Sequence, residues 1–266
     1  MKLNIVPART GTQWVRQSVR IFFKQPLAIT GLFFMFIVSL SVVAIVPFIG
    51  GVLALVLVPA ATVGLMAATR EAEAGRFPMP LTLVVALRQG AQRRRAILLL
   101  GALYALGALI VIGISALIDG GSFAQLYVNG GGITEEMVTD PSFRTAMWVS
   151  TLLYLPLSLA FWHAPALVHW YGVPPVKSLF FSAVAVLRNV GAFLLYGLMW
   201  IALAFAGGLV LLVLSVLTGS PAIASFGMMP VAVMLASMFF NSLWFTFRDS
   251  FTAEEDPSPT PSLTSP

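Results

Sequence analysis

From Leu27 to Thr69 the chain carries no Asp, Glu, Lys or Arg, and that run limits the fold more than any motif does. A hydrocarbon core about 30 Å thick is crossed by about 20 apolar helical residues, so the run has room for two crossings. Between them, Pro47, Gly50 and Gly51 in VPFIGG (46–51) supply turn chemistry for a tight hairpin. Comparable runs recur, and the chain reads as six spans at 27–46, 51–69, 96–118, 146–167, 192–217 and 223–246. Charged residues make up only 9% of the chain, where a soluble domain has about a quarter. The first run far exceeds a signal-peptide core of about 7–15 residues, so cleavage is not expected. There is no cysteine, which excludes disulfides, thiolate metal sites and cysteine lipidation.

The net charge of +5 points to topology rather than to nucleic acid, because the basic residues flank apolar segments. Lys2, Arg9, Arg16, Arg20 and Lys24 precede the first span, and Arg70, Arg76, Arg88, Arg93, Arg94 and Arg95 lie between the second and third. Lys177 and Arg188 follow the fourth span and Arg248 the sixth. In an alternating six-span arrangement all of these share one side, and only Arg144 lies on the other. The positive-inside bias then predicts both termini in the cytoplasm. The outer segment 119–145 carries Asp119, Glu135, Glu136 and Asp140 beside NGGG (129–132) and reads as a flexible acidic loop without the spacing of a calcium loop. The Pro/Ser/Thr-rich end, 248–266, reads as a disordered tail.

Three stretches on the basic side have helical amphipathicity. In 13–24 a face of Gln13, Arg16, Gln17, Arg20 and Lys24 opposes Trp14, Val15, Val19, Phe22 and Phe23. An interfacial helix of this kind sets its apolar side in the acyl boundary and its cations among anionic headgroups. In 174–189, Ser178, Ser182 and Asn189 share one face, and Phe180, Val184 and Leu187 another. The stretch 80–89 is the third. Each ends in a related step, FKQ (23–25), LRQ (87–89) or LRN (187–189). Each is followed by two spans whose second carries a comparable proline, Pro59, Pro165 or Pro230. The chain thus reads as three units of interfacial helix plus hairpin.

Function is narrowed mainly by elimination. All ten acidic residues fall in loops or tails, whereas coupled transporters use ionisable groups inside the membrane. A dyad of Ser115 in GISAL with His163 fails on depth. At about 1.5 Å per helical residue the two lie roughly 20 Å apart along the bilayer normal, against the roughly 3 Å a nucleophile and base require. His163 and His169 are the only histidines. A separation of six places them about 120° apart on a helix, unlike ligand pairs at i, i+3 or i, i+4, so no metal or other cofactor is expected. His163 remains as the candidate pH-sensitive contact, since a neutral imidazole ionises near physiological pH. Its alternative is an interfacial histidine hydrogen-bonded to a neighbouring helix. His169, Trp170 and Tyr171 read as an aromatic belt. Gly101, Ala105, Ala108 and Ser115 line one face of the third span, permitting close helix approach within the chain or to a second copy of it.

The stretches AFWHAPALVHWYGVPPVKSLFFSAVAVLRN (160–189) and LVPAATVGLMAATREAEAG (57–75), with the opening MKLNIVPARTGTQWVRQSVRIFFKQP, resemble an uncharacterised family of six-span inner-membrane proteins from proteobacteria. The shorter core FW.AP.L....G.PP..SLFFS resembles the membrane domain that precedes some bacterial glycerophosphodiester phosphodiesterases. The first resemblance covers most of the chain and implies a fold and an inner-membrane location, but no catalytic residue. Where it leads one to expect a bulky apolar residue after FW, this chain has His163.

The expectation is an all-α polytopic membrane bundle. It has an amphipathic cytoplasmic segment (1–26), a six-helix transmembrane domain (27–247) and a disordered cytoplasmic tail (248–266). The expected role is non-catalytic, organising or assisting membrane components. Arg16, Arg20, Lys24, Arg93, Arg94 and Arg95 are the candidate headgroup contacts, and the partners are membrane lipids, another membrane protein or a second copy. The alternative is an uncoupled transporter or channel for an apolar or lipid-like solute, its kinked helices enclosing a cavity.

Overall fold

The structure is a computed structural model, and it describes residues 1–129 and 134–252. In chain order it comprises β1 (Lys2–Leu3), α1 (Thr10–Lys24), α2 (Pro26–Ala44), α3 (Gly50–Glu73), a 3₁₀ turn (Pro80–Val84) running into α4 (Val85–Arg88), and α5 (Ala91–Asp119). Then follow α6 (Ser122–Asn129), α7 (Glu135–Thr139), α8 (Pro141–Phe161), α9 (Ala164–Tyr171), α10 (Pro175–Arg188), α11 (Val190–Thr218), α12 (Pro221–Ser250) and β2 (Phe251–Thr252). Among the described residues, six helices are long and apolar enough to cross a membrane, α8 and α9 together making the fourth. They match the six expected spans: α2 stops at Ala44, two residues short of the expected 46, and the other five extend beyond theirs. At 1.5 Å rise per residue the 29 residues of α5 overshoot a core of about 30 Å. Arg93, Arg94 and Arg95, good helix formers, extend its first turn outside the apolar stretch.

The expected hairpin between the first two spans is present, but its turn chemistry differs. Phe48, not a glycine, takes the left-handed conformation, at φ 65°. Gly50 already belongs to α3, where a Cβ would stand 2.5 Å from the Ala44 carbonyl oxygen.

Helix α3 is central, packing against α2, α5, α12 and the 3₁₀ turn, while α5 packs on α8 and α11 on α12. The three expected units appear as one recurring order: α1 then α2–α3, the 3₁₀ turn and α4 then α5–α8–α9, α10 then α11–α12. Gln25, Gln89 and Asn189 stand at the three joints between short helix and span. Short β1 and β2 pair antiparallel, Lys2 opposite Thr252 and Leu3 opposite Phe251, so both ends of the described chain lie on one face, termed the terminal face below.

Three expectations are corrected. First, α1 is not a separate surface segment. Trp14, Val15, Ser18, Ile21 and Phe22 are buried, and α1 packs into the angle between α11 and α12. Gly11 lies so close to α11 that a Cβ would be 2.0 Å from the Ala192 carbonyl, and the Ser18 hydroxyl donates to the Met238 carbonyl. Of the large apolar side chains, Phe23 alone is exposed. Second, the proposed tail begins late. Arg248 to Ser250 continue α12 and Phe251–Thr252 form β2, while 253–266 lie outside the described residues.

Third, the acidic outer loop is largely helical where it is described, with residues 130–133 of it outside the description. The Asp119 carboxylate accepts the Gly121 and Phe123 N–H groups at 2.9 and 2.6 Å. Asp140 caps α8, accepting the Ser142 N–H and hydroxyl. Short polar side chains at such positions satisfy the orphan donors of a helix start. The backbone and side-chain hydrogen bonds from Ser142 hold the Asp140 carboxyl below its ordinary value of 3.8. A carboxylate lowered in the folded state contributes stability above its ordinary value, and that contribution is lost as pH falls through the folded one. A melting-temperature series in detergent from pH 6 to pH 2.5 should therefore show a decline below pH 4 that Asp140→Asn reduces.

Candidate functional site

The region around His163 starts with a broken helix. Pro165 supplies no N–H and disfavours the helical conformation in the residue before it, and α8 and α9 separate at Trp162 and His163. In an unbroken helix the His163 N–H would reach the Leu159 carbonyl. Here it donates to the Ser182 hydroxyl at 2.8 Å, and that hydroxyl donates to Leu159 at 2.9 Å. A side chain from α10 thus completes the backbone ladder at the kink. This explains the sequence of α10. Its polar face, Ser178 and Ser182 with Asn189 at its end, is buried, and Asn189 accepts the Val6 N–H and donates to the Asn4 carbonyl. Val176, Phe180 and Leu187 are exposed. Replacing Ser182 by alanine strands two buried backbone groups and should cost on the order of 2 kcal/mol, read as a lowered melting temperature in detergent. Ser182→Thr, which keeps a hydroxyl, should lose less.

The His163 ring is fully buried rather than interfacial, with Phe193, Phe247 and Phe251 against it. Its Nε2 lies 3.3 Å from the Thr246 hydroxyl on α12. That hydroxyl donates to the Leu243 carbonyl and accepts the Trp162 indole N–H, so it is free only to accept, and His163 Nε2 is the donor. His169 lies elsewhere. Its Nε2 is 3.3 Å from the Gln89 amide nitrogen, and its carbonyl accepts from Arg93 at 2.6 Å. The expected aromatic belt is partly internal. Trp170 packs on Trp244 and stacks on Phe247, with ring centroids 5.2 and 5.3 Å away.

The other candidate residues divide. Arg16, Arg20, Lys24, Arg93, Arg94 and Arg95 are all exposed, and Arg93 also donates to the His169 carbonyl. Gly101, Ala105 and Ala108 are buried, and Gly101 faces α3, where a Cβ would stand 1.9 Å from the Val56 carbonyl oxygen. Ser115 donates to the Ile112 carbonyl of its own helix.

Sequence reading missed two arrangements. One is a polar clamp on the terminal face. Arg248 pairs with Glu73 of α3, bonds Asp249 at 2.8 Å and reaches Gln17 of α1 at 3.1 Å. Asp249 accepts the Trp14 indole N–H at 2.9 Å, and Glu73 the Trp244 indole N–H at 2.7 Å. The other is a cleft of about 510 Å³ between the end of α3, the 80–89 segment, the start of α5 and the end of α9, lined in part by Arg70, Thr82, Gln89, Arg93 and His169. Residues that converge from four separate elements leave no signature in local spacing.

No family model and no solved structure matches the chain. A protein of Burkholderia thailandensis described as a "Probable inner membrane protein" is 38% identical over 262 residues, which cover 97% of each of the two chains. That description says nothing of a phosphodiesterase, so the shorter resemblance gains no support. Near full-length identity at this level, together with six apolar helices of spanning length, shows that the chain belongs to the same family of inner-membrane proteins as the Burkholderia protein.

Proposed function

We propose that the protein is a non-catalytic multi-pass inner-membrane protein with its terminal face in the cytoplasm, where it organises or assists other membrane components by holding anionic lipid or a partner. The carrying observation is the make-up of that face. Arg16, Arg20, Lys24, Arg94 and Arg95 are exposed and form no ion pair among the described residues. The same face exposes Phe23, Phe77, Met79, Leu81, Val176 and Phe180. Cations beside exposed apolar side chains suit an anionic headgroup layer above an acyl boundary.

Two measurements test this. Native mass spectrometry of the protein released from mixed nanodiscs should show phosphatidylglycerol retained over phosphatidylcholine, and Arg16→Gln/Arg20→Gln/Lys24→Gln should reduce that preference. Crosslinking in native membranes that enriches neither lipid nor protein above a control membrane protein would overturn the role. For orientation, the lack of native cysteine permits single-cysteine labelling. Ala8→Cys should be protected from an impermeant maleimide in spheroplasts and Thr134→Cys labelled; the reverse pattern sinks the topology.

A further inference from the structure

The cleft at the terminal face has an unbalanced set of hydrogen-bonding groups. Arg70 lies with its guanidinium carbon 5.7 Å from the centre of the Trp244 ring and has no hydrogen-bond acceptor among the described residues. Arg93 gives one N–H to the His169 carbonyl, which leaves most of its five donors open. The acid in the wall, Glu71, is paired with Arg76 and feels the charge of Arg70 only at longer range, so neither cleft arginine forms an ion pair among the described residues. His169 supplies a third donor. The Gln89 amide nitrogen can only donate, so His169 Nε2 accepts from it and the ring proton of the neutral imidazole sits on Nδ1. That Nδ1 is buried without a partner, as is the Oε1 of Gln89. A buried donor with no acceptor is costly, and here it belongs to a residue that lines a cleft with two guanidinium groups.

We propose that this cleft binds one phosphate group, with Arg70 and Arg93 as its charged ligands and His169 Nδ1–H as a neutral third donor. Planar guanidinium groups match phosphate oxygens in paired hydrogen bonds, and basic pockets between spanning helices take anionic headgroups. The phosphate can arrive as the diester of a lipid or as a free phosphate. The surroundings favour the lipid: Phe77, Met79 and Leu81 are exposed nearby in sequence. The other side of the 80–89 segment, Leu83, Val84 and Leu87, lines an apolar groove against Phe36, Leu40 and Ala61. The lipid assignment rests on the reading of the terminal face as a contact surface for anionic lipid.

The test uses the full chain in nanodiscs and compares Arg70→Gln/Arg93→Gln with Lys2→Gln/Arg9→Gln, which removes the same charge from the same face away from the cleft. Retained phosphatidylglycerol should fall about 10-fold or more in the first double variant and less than about 2-fold in the second. Bound lipid that persists in 10 mM inorganic phosphate assigns a lipid phosphate, and displacement by inorganic phosphate assigns a free one; both support the site. Equal losses in the two double variants overturn it, while a remaining preference for phosphatidylglycerol would keep the broader lipid reading intact. If the unmodified protein retains phosphatidylglycerol no better than phosphatidylcholine, the broader reading fails. Direct inorganic-phosphate binding, lost in Arg70→Gln/Arg93→Gln alone, would then still support the cleft. An unchanged melting temperature of Arg70→Gln/Arg93→Gln in detergent checks that lost binding is not lost fold, and if the double variant melts lower, each single arginine variant is measured in its place.

Discussion

Trp14→Ala should release α1 from the bundle or unfold the protein, at a cost of about 3–5 kcal/mol, the range for truncating a fully buried tryptophan. The ring is completely buried, packed against Phe193 and Tyr196 with centroids 5.2 and 6.1 Å away. Its indole N–H is bound by Asp249, which also holds Arg248. Trp14→Phe keeps an aromatic ring and removes the N–H, so it should cost only about 1–2 kcal/mol. Melting temperature in detergent gives the order, and proteolysis within 9–25 shows whether α1 has come away. Equal losses for the two variants would mean that ring packing does not hold α1.

Gly101→Ala is the second large effect. A Cβ at 1.9 Å from the Val56 carbonyl oxygen meets backbone, which no rotamer can relieve, so α3 and α5 must separate. Overpacking of this kind costs about 3 kcal/mol or more when the clash is rigid. At Gly113, twelve residues further along the same helix, a Cβ would meet nothing within 4 Å. Gly113→Ala should be neutral or stabilising by up to about 1 kcal/mol. A large gap in melting temperature between these two alanines is the expected result, and its absence would mean that the α3–α5 contact is looser than described.

The contrast between Trp14 and Gly101 also shows what could be read in advance. Small residues at helical spacing on an apolar span announce a close approach, and the face of Gly101 was legible for that reason. The face carrying Trp14 was legible too, but its destination was not. Amphipathicity records that a face leaves water, not whether lipid or protein receives it. The error runs the opposite way in α10. There Ser178, Ser182 and Asn189 look like the wet side, yet they are buried because a kinked neighbour has backbone groups to satisfy. Phe180 and Leu187 are the exposed residues. The Arg248 clamp and the phosphate cleft were invisible for a third reason: each joins elements far apart in sequence, and no local pattern encodes such convergence.

By itself, the sequence determined the number of apolar crossings, the hairpin between the first two, the proline that breaks the fourth and the side on which nearly all cations gather. Each follows from a local balance, apolar length against bilayer thickness or a missing N–H against a helical ladder, which neighbouring residues settle alone. Tertiary structure decided where α1 docks, which face of α10 turns inward, what closes the ladder at His163, and that Arg70, Arg93 and His169 share one cleft. Those outcomes depend on which distant backbone and side-chain groups can satisfy one another once the helices pack, and only the assembled bundle brings them within reach.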